Sequence, residues 1–191
     1  MFVFKIIKVE YGWIEGKIGN DTEDYYFNYS YLTDFLSDLL YSIIAAERID
    51  NDWGNYNSFI TEWEPARDRW VIELDDEEYS VYINSVEIDD AEGRLRLNEI
   101  RGLIPVNKPS IKPNSFLIRC NRKEFLSAIV NECFEVLKKY GFWGYWKAFE
   151  KEFPIGKLLF VCDILENNVR DNTSYVEEVE RLKTSIANMN R

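Results

Sequence analysis

The chain has 191 residues, of which 46% are hydrophobic and 30% charged, and this composition excludes a disordered, collagenous or low-complexity protein. It contains no histidine, so the most common general base, zinc ligand and pH-sensing residue of proteins is absent. The net charge of −11 argues against binding to nucleic acid or to an anionic membrane.

Three strands are predicted at the start of the chain. Apolar and polar residues alternate over 2–9, 13–18 and 25–29, and turn-forming residues separate these runs. Lys5 and Lys8 interrupt the apolar run at the N-terminus, which therefore lacks the pattern of a secretory signal. We accordingly expect a cytoplasmic protein with no membrane-spanning segment.

A helix is predicted after the third strand. Apolar residues recur at helical spacing and form one continuous stripe over 33–47. Leu36 and Leu40 lie in the middle of this stripe, so we expect both to be buried. A stripe on only one side of a helix indicates that the helix packs on a sheet.

Alternation returns in the middle of the chain and predicts an antiparallel meander with short connections. A turn is predicted at 65–68. The predicted strands cover 58–64, 69–74, 78–88, 94–98 and 116–120.

The C-terminal third predicts helices. Asn121 with Glu124 three residues later resembles a capping box, and Gly141 is a favourable residue just beyond a helix end. Shorter helices are expected over about 142–151 and 156–165. Trp143 and Trp146 lie three residues apart among further aromatic residues, a pattern more typical of a core than of a ligand cage.

These elements predict an α+β fold in which one antiparallel sheet of six to eight strands packs against the helices. We expect a single domain over 1–166 and a C-terminal helical tail over 167–191. The tail has a narrow apolar stripe, which predicts either loose docking or a homodimer formed through this C-terminal helix.

Acidic residues are concentrated in the first half of the chain, where residues 1–100 carry a net charge of −15 and the remainder +4. Between Trp70 and Gly93, nine acidic residues occur with no basic one. Such a surface would attract a basic partner, although acidic turns also serve solubility alone. The predicted partner-binding residues are Asp75, Asp76, Glu77, Glu78, Glu87, Asp89, Asp90 and Glu92.

Most of these acids fall in two predicted turns, 75–78 and 89–92. Because successive turns of a meander lie at opposite ends of the strands, we expect the two turns at opposite rims of the sheet. Ser80, Tyr82 and Asn84 would face outward on the strand between them.

No nucleophile or metal-binding motif occurs in the sequence. The three cysteines, Cys120, Cys133 and Cys162, are widely spaced and odd in number, which fits free buried thiols in a reducing cytosol. We therefore predict no catalytic residue, no metal site and no cofactor.

Paired carboxylates offer an alternative, a carbohydrate or small-molecule enzyme. Glu62 and Glu64 would point to the same face of a strand, with Glu73 across the hairpin and Trp53, Trp63 and Trp70 nearby. The competing interpretation is an exposed polar face opposite a buried aromatic one.

Two segments carry a resemblance to a known class of proteins. They are G-W-I-E-G-K-I-G at 12–19, leading to F-N-Y-S-Y-L-T-D at 27–34, and E-W-E-P…R-W-V-I-E at 62–73. The layout resembles small bacterial cytosolic proteins of the kind found as immunity proteins in polymorphic-toxin loci, over most of residues 10–165. This resemblance implies an α+β protein that neutralises a toxin by binding it, often through an acidic face.

The sequence thus predicts a non-catalytic cytosolic binding protein with a basic protein partner, and an immunity-type inhibitor as its specific form. The alternatives are the carboxylate enzyme and a homodimeric structural protein.

Overall fold

A computed structural model describes residues 1–47, 55–63, 66–86 and 115–166. These residues form an α+β fold, as predicted, with every pair of neighbouring strands antiparallel. The elements in chain order are β1 (Val3–Glu10), β2 (Trp13–Gly19), β3 (Asp24–Ser30), α1 (Phe35–Ala46), β4 (Tyr56–Trp63), β5 (Ala66–Asp75), β6 (Glu78–Val86), β7 (Phe116–Asn121), α2 (Arg122–Phe149) and α3 (Ile155–Leu165).

The strands form two sheets instead of the single sheet that we expected. β1, β2 and β3 make the first sheet in that order, and β4 to β7 make the second. Helix α1 connects the sheets, and β3 contacts β4 without pairing to it. The single-sheet prediction is wrong because α1 interrupts the meander, and the chain starts a new sheet after it.

Aromatic rings from both sheets meet around the start of α1. The Phe35 ring lies 4.8 Å from that of Phe27 and 5.3 Å from that of Trp70, measured between centroids. Phe4 and Phe59 also contact the Phe35 ring. Helix α1 therefore packs against both sheets and joins them through one core.

Helix α2 lies along the outer edge of β1 and supplies acceptors to its backbone. Glu132 accepts a hydrogen bond from the Ile6 N–H at 2.9 Å, and the Tyr140 hydroxyl accepts one from the Val9 N–H at 3.0 Å. Glu124 accepts from the N–H of Phe2, just before the strand, at 2.7 Å. Because an open sheet edge invites pairing with other chains, this helix protects the edge of the first sheet.

The sequence predicted two features of α2, its cap at Asn121 and its interruption at Gly141. The Asn121 side chain caps the helix by accepting from the Lys123 N–H at 3.0 Å, although Glu124 contacts β1 and not the cap residue. Gly141 interrupts the helix with φ 65° and ψ 174°, where its lack of a Cβ makes the left-handed φ accessible. The chain therefore continues as a second helical segment over 142–149.

The predicted domain boundary at residue 166 stays a prediction, because the tail at 167–191 and its proposed homodimer lie outside the described residues. Over the described ranges, no helix combines the length and hydrophobicity needed to cross a bilayer.

Leu40 provides a direct test of the core around α1. Leu36 and Leu40 are both fully buried, which confirms the prediction from the helical stripe. We expect Leu40→Ala to lower the free energy of unfolding by about 3 kcal/mol, since it loses apolar burial and leaves a cavity. Urea denaturation measures this change. Tyr41→Ala, on the exposed side of the same helix, should change it by less than about 1 kcal/mol.

Candidate functional site

The acidic turn, which we define as Asp75 to Glu78, connects β5 to β6. All four of its residues are exposed. Asp75 and Glu78 are paired in the hairpin, and Asp76 has a left-handed φ of 50°. Asp tolerates this conformation better than most side chains, which explains part of its presence here.

The backbone of the acidic turn is fixed to the start of α2. The Glu77 carbonyl accepts a hydrogen bond from the Arg122 N–H at 2.7 Å. Arg119 lies 3.9 Å from Glu78, and both side chains are more than half exposed, so this ion pair neutralises little charge. The turn therefore presents carboxylates to solvent from a fixed position.

The other four predicted partner-binding residues, Glu87, Asp89, Asp90 and Glu92, lie outside the described residues. The strand expected to connect the two acidic turns is described as far as Val86. Its residues Ser80, Tyr82 and Asn84 are buried, and so is Val71 on the neighbouring strand. Our expectation of an outward face made by these three residues is wrong, because this part of β6 is buried on both of its faces.

Glu62 and Glu73 do not form a carboxylate pair. The strand register places Glu62 opposite Arg67 and Glu73 opposite Tyr56, six residues away along the hairpin. At about 3.3 Å per residue, this separation is about 20 Å, whereas the paired carboxylates of glycosidases lie within about 10 Å. The expected approach of Glu73 to Glu62 is therefore wrong.

The surroundings of Glu62 also differ from those of a sugar site. Its carboxylate forms an ion pair with the Arg67 guanidinium, with a nitrogen–oxygen distance of 3.0 Å. Trp70 is buried in the core, where its indole N–H donates to the Tyr29 hydroxyl at 2.9 Å, and Trp63 is partly exposed at the end of β4. Glu64 and Trp53 lie outside the described residues, so a ligand face that includes Glu64 stays a prediction.

The described residues contain no group of three metal-ligating side chains of the His, Cys, Asp or Glu type. The three cysteines are free thiols, two of them buried and Cys162 partly exposed. Burial raises the pKa of the Cys120 thiol to about 12 and that of Cys133 well above its usual value. Both thiols are therefore protonated and weakly nucleophilic at neutral pH.

Two carboxylates lie one turn apart at the start of α1. Burial raises the pKa of Asp34, and burial together with the nearby Asp34 raises the pKa of Asp38 to about 6. Lys151 and Lys157 act in the opposite direction, and Lys157 donates a hydrogen bond to the Ser37 hydroxyl. The lysines do not fully offset the cost of burying the charges.

Asp38→Asn should therefore stabilise the protein at pH 7. The folded state holds the Asp38 proton more tightly than the unfolded chain, so stability falls as pH rises from about 4 to about 6. Because the carboxylate is partly exposed, we expect a gain of only about 1 kcal/mol, or about 2–4 °C in Tm. Thermal unfolding at pH 7 and pH 4 measures it, and the gain should disappear at pH 4. An equal gain at both pH values would contradict the assignment.

The segment after Gly141 exposes the aromatic residues that we predicted to be core. Trp143 is 66% exposed and Trp146 45% exposed, and their rings stack with centroids 4.9 Å apart. Tyr145 and Phe149, on another side of the same helical segment, are fully buried. The prediction is wrong for the two tryptophans because aromatic residues surround this short helix, and only one side can face the core.

The β1–β2 turn places further exposed aromatic residues beside this segment. The Gly12 N–H donates to the Ala148 carbonyl at 2.7 Å, and the Gly12 carbonyl accepts from the Tyr31 N–H at 2.7 Å. Tyr11, next to this glycine, is 89% exposed, and Tyr31 is also exposed. Gly12 thus joins three segments that each carry exposed aromatic residues.

Gly12 is required at this junction for two reasons. Its φ is 79°, and a Cβ atom would come within 2.8 Å of the Tyr31 ring. Any other residue would be strained and would push Tyr31 away. The glycine itself is the only sign of this junction in the sequence. The junction could not be predicted, because the residues that Gly12 bonds to are distant along the chain.

No protein-family model matches this sequence, and no curated protein matches it. Among solved structures, the chain is similar to a chain of the CdiA-CT/CdiI toxin and immunity complex from Enterobacter cloacae, with a TM-score of 0.42 and 12% identity. The similarity covers 69% of this chain and 98% of the other.

Proposed function

We propose that this protein is a non-catalytic binding protein whose partner is a basic protein. The observation that carries the proposal is the acidic turn, in which four consecutive residues expose carboxylates from a backbone fixed to α2. Four like charges at one turn repel one another and contribute no core contact, so they are an unfavourable arrangement for stability alone. A basic partner would convert this repulsion into attraction.

The charge of the whole molecule supports the same class of partner. A net charge of −11 attracts a basic protein and repels nucleic acid and anionic lipid. Coulomb attraction between exposed groups is screened beyond about 8 Å at physiological salt. The acidic turn should therefore control the rate of association more than the final affinity.

The specific form that we propose is an immunity-type inhibitor in the cytoplasm. The segments at 12–19, 27–34 and 62–73, which resemble immunity proteins, support this form. The first two meet in the structure, because Gly12 bonds to Tyr31. Neither the protonated thiols of Cys120 and Cys133 nor the distant Glu62 and Glu73 favour the enzyme alternative.

Growth rescue tests the proposal. Each reading frame beside this gene is expressed in a bacterial host with and without this protein, and the growth rates are compared. We expect one toxic basic product whose toxicity this protein abolishes, and the two proteins should elute together in size-exclusion chromatography. Toxic neighbours that are neither neutralised nor bound would contradict the immunity function.

The acidic turn has its own kinetic test once that partner is in hand. Asp75→Asn with Asp76→Asn should slow association by about tenfold at low salt and flatten its salt dependence, while dissociation changes little. Glu23→Gln with Glu135→Gln removes the same charge from exposed positions elsewhere and is the control. Equal association rates for the two variants across a salt series would reduce the acidic turn to a solubility feature.

A further inference from the structure

The exposed aromatic residues around Gly12 form a second surface feature that the acidic turn does not explain. We define the aromatic surface as Tyr11, Tyr31, Trp143 and Trp146. Single exposed aromatic residues are common, but here three chain segments that carry them are joined by two backbone hydrogen bonds of 2.7 Å. Tryptophan and tyrosine are the residues most enriched where proteins bind one another.

The two tryptophans are held in place before any partner arrives. Their rings are stacked with an interplanar angle of 17°, and the segment that carries them is fixed on its inner side by Tyr145 and Phe149. Rigid aromatic side chains lose little conformational entropy on binding. Their exposed rings are therefore well suited to contact a partner.

The surroundings of the rings indicate a cationic ligand. Lys147 places its ammonium group 5.8 Å from the centroid of the Trp143 ring, a cation–π contact that an arginine of a partner would replace. Glu150 is exposed at the end of this helical segment, where its backbone N–H donates to the Trp146 carbonyl. The carbonyl end of a helix also carries partial negative charge.

We propose that the aromatic surface binds arginine side chains of the basic partner, which rests on the proposed function. A guanidinium group stacks on an indole ring better than an ammonium group does, and its edge still donates hydrogen bonds to other acceptors. The net charge of −11 opposes a second copy of this chain and an anionic membrane as the occupant.

Short peptides test this surface without the natural partner. Tetra-arginine and tetra-lysine are titrated into the ¹⁵N-labelled full-length protein, and the indole N–H signals are assigned with single Trp→Phe variants. We expect tetra-arginine to shift the Trp143 and Trp146 signals, leave that of Trp63 in place and bind about two- to fivefold more tightly than tetra-lysine. Equal affinities, or no shift at Trp143 and Trp146, would overturn the proposal.

Matched variants separate this inference from the proposed function. Trp143→Ala with Trp146→Ala should abolish the preference for arginine, whereas Trp63→Ala, at another exposed tryptophan, should retain it. With a natural partner, the double variant should increase the dissociation rate by at least tenfold. Unchanged dissociation would reject the aromatic surface and leave the proposed function intact. If the peptides bind as expected but no toxin is neutralised, the aromatic surface is retained and the proposed function is rejected.

Discussion

Asp68→Ala is expected to lower the free energy of unfolding by about 4 kcal/mol, the largest single effect at a polar residue within the described part of the chain. Asp68 lies on β5 and is buried. Its carboxylate accepts hydrogen bonds from the hydroxyls of Tyr25 at 2.6 Å, Tyr29 at 3.0 Å and Ser85 at 3.1 Å. Alanine would leave three hydroxyl groups without this acceptor and open a cavity between the two sheets.

The hydrogen bonds to Asp68 form a network that should stabilise the fold more than a single ordinary hydrogen bond, because two of its donors lie on the other sheet. Tyr25 and Tyr29 lie on β3 of the first sheet, and Asp68 lies in the second, so the carboxylate joins two sheets that share no backbone pairing. Burial, followed by the hydrogen bond to Asp68, raises the pKa of Tyr25 well above its usual value. The hydroxyl therefore remains a donor over the whole neutral range.

Urea denaturation of three variants tests the network. Asp68→Asn preserves the shape and one acceptor oxygen, so it should cost less than Asp68→Ala. Tyr29→Phe removes one donor to Asp68 and also the acceptor of the buried Trp70 indole N–H, so it should cost about 2–3 kcal/mol. If Asp68→Ala cost less than about 1 kcal/mol, the carboxylate would not join the sheets as the contacts indicate.

Local patterns in the sequence predicted the helices and strands well. They did not predict which distant residues a buried polar side chain such as Asp68 contacts. The period of the apolar residues located α1 and the strands around it, because the same side chains create both the pattern and the buried face. Asp68, however, fell in a predicted turn at 65–68, whereas β5 begins at Ala66. Its polar side chain disfavours a strand locally, and the tyrosines that compensate are about 40 residues away.

The same limitation explains the errors at the candidate site. Alternation predicted an open face at Ser80, Tyr82 and Asn84, but alternation does not reveal that a central strand is buried on both faces. For Trp143 and Trp146, the spacing of three residues among further aromatic residues predicted burial, because such a stripe is more typical of a core. What decides their exposure is the packing of Tyr145 and Phe149 on the other side of the helix.

The acidic turn and the aromatic surface have complementary physical roles in the proposed function. Exposed carboxylates act before contact, by accelerating encounters with a basic partner over a range that salt limits. Aromatic rings act after contact, because their attraction has a short range and slows dissociation. The acidic residues were evident from the sequence because charge does not depend on folding, whereas the aromatic surface depends on tertiary packing.

Among the polar residues that the structure describes, Glu47 should give the second most destabilising substitution, with Glu47→Ala lowering the free energy of unfolding by about 3–4 kcal/mol. Glu47 directly follows α1, and Arg122 begins α2. The guanidinium donates from Nε to one carboxylate oxygen and from its terminal nitrogen to the other, both at 2.9 Å. The Tyr79 hydroxyl of β6 donates to the same carboxylate at 2.6 Å. Since 75 residues separate Glu47 from Arg122, no local pattern predicted this pair.

The cost of Glu47→Ala comes mainly from the groups it leaves behind. The Arg122 side chain is only 18% exposed, so removal of its carboxylate leaves a charge largely shielded from water. The hydrogen bond to Glu47 raises the pKa of Arg122. Without it the guanidinium still stays charged, because arginine does not lose its proton at neutral pH. Glu47→Met with Arg122→Met removes both charges and should be less destabilising than Glu47→Ala alone. Urea denaturation of Glu47→Met, Arg122→Met and the double variant, beside Glu47→Ala, measures the coupling between the two side chains. If the double variant lost more stability than Glu47→Ala, the attraction within the pair, and not the stranded charge, would be the larger energy.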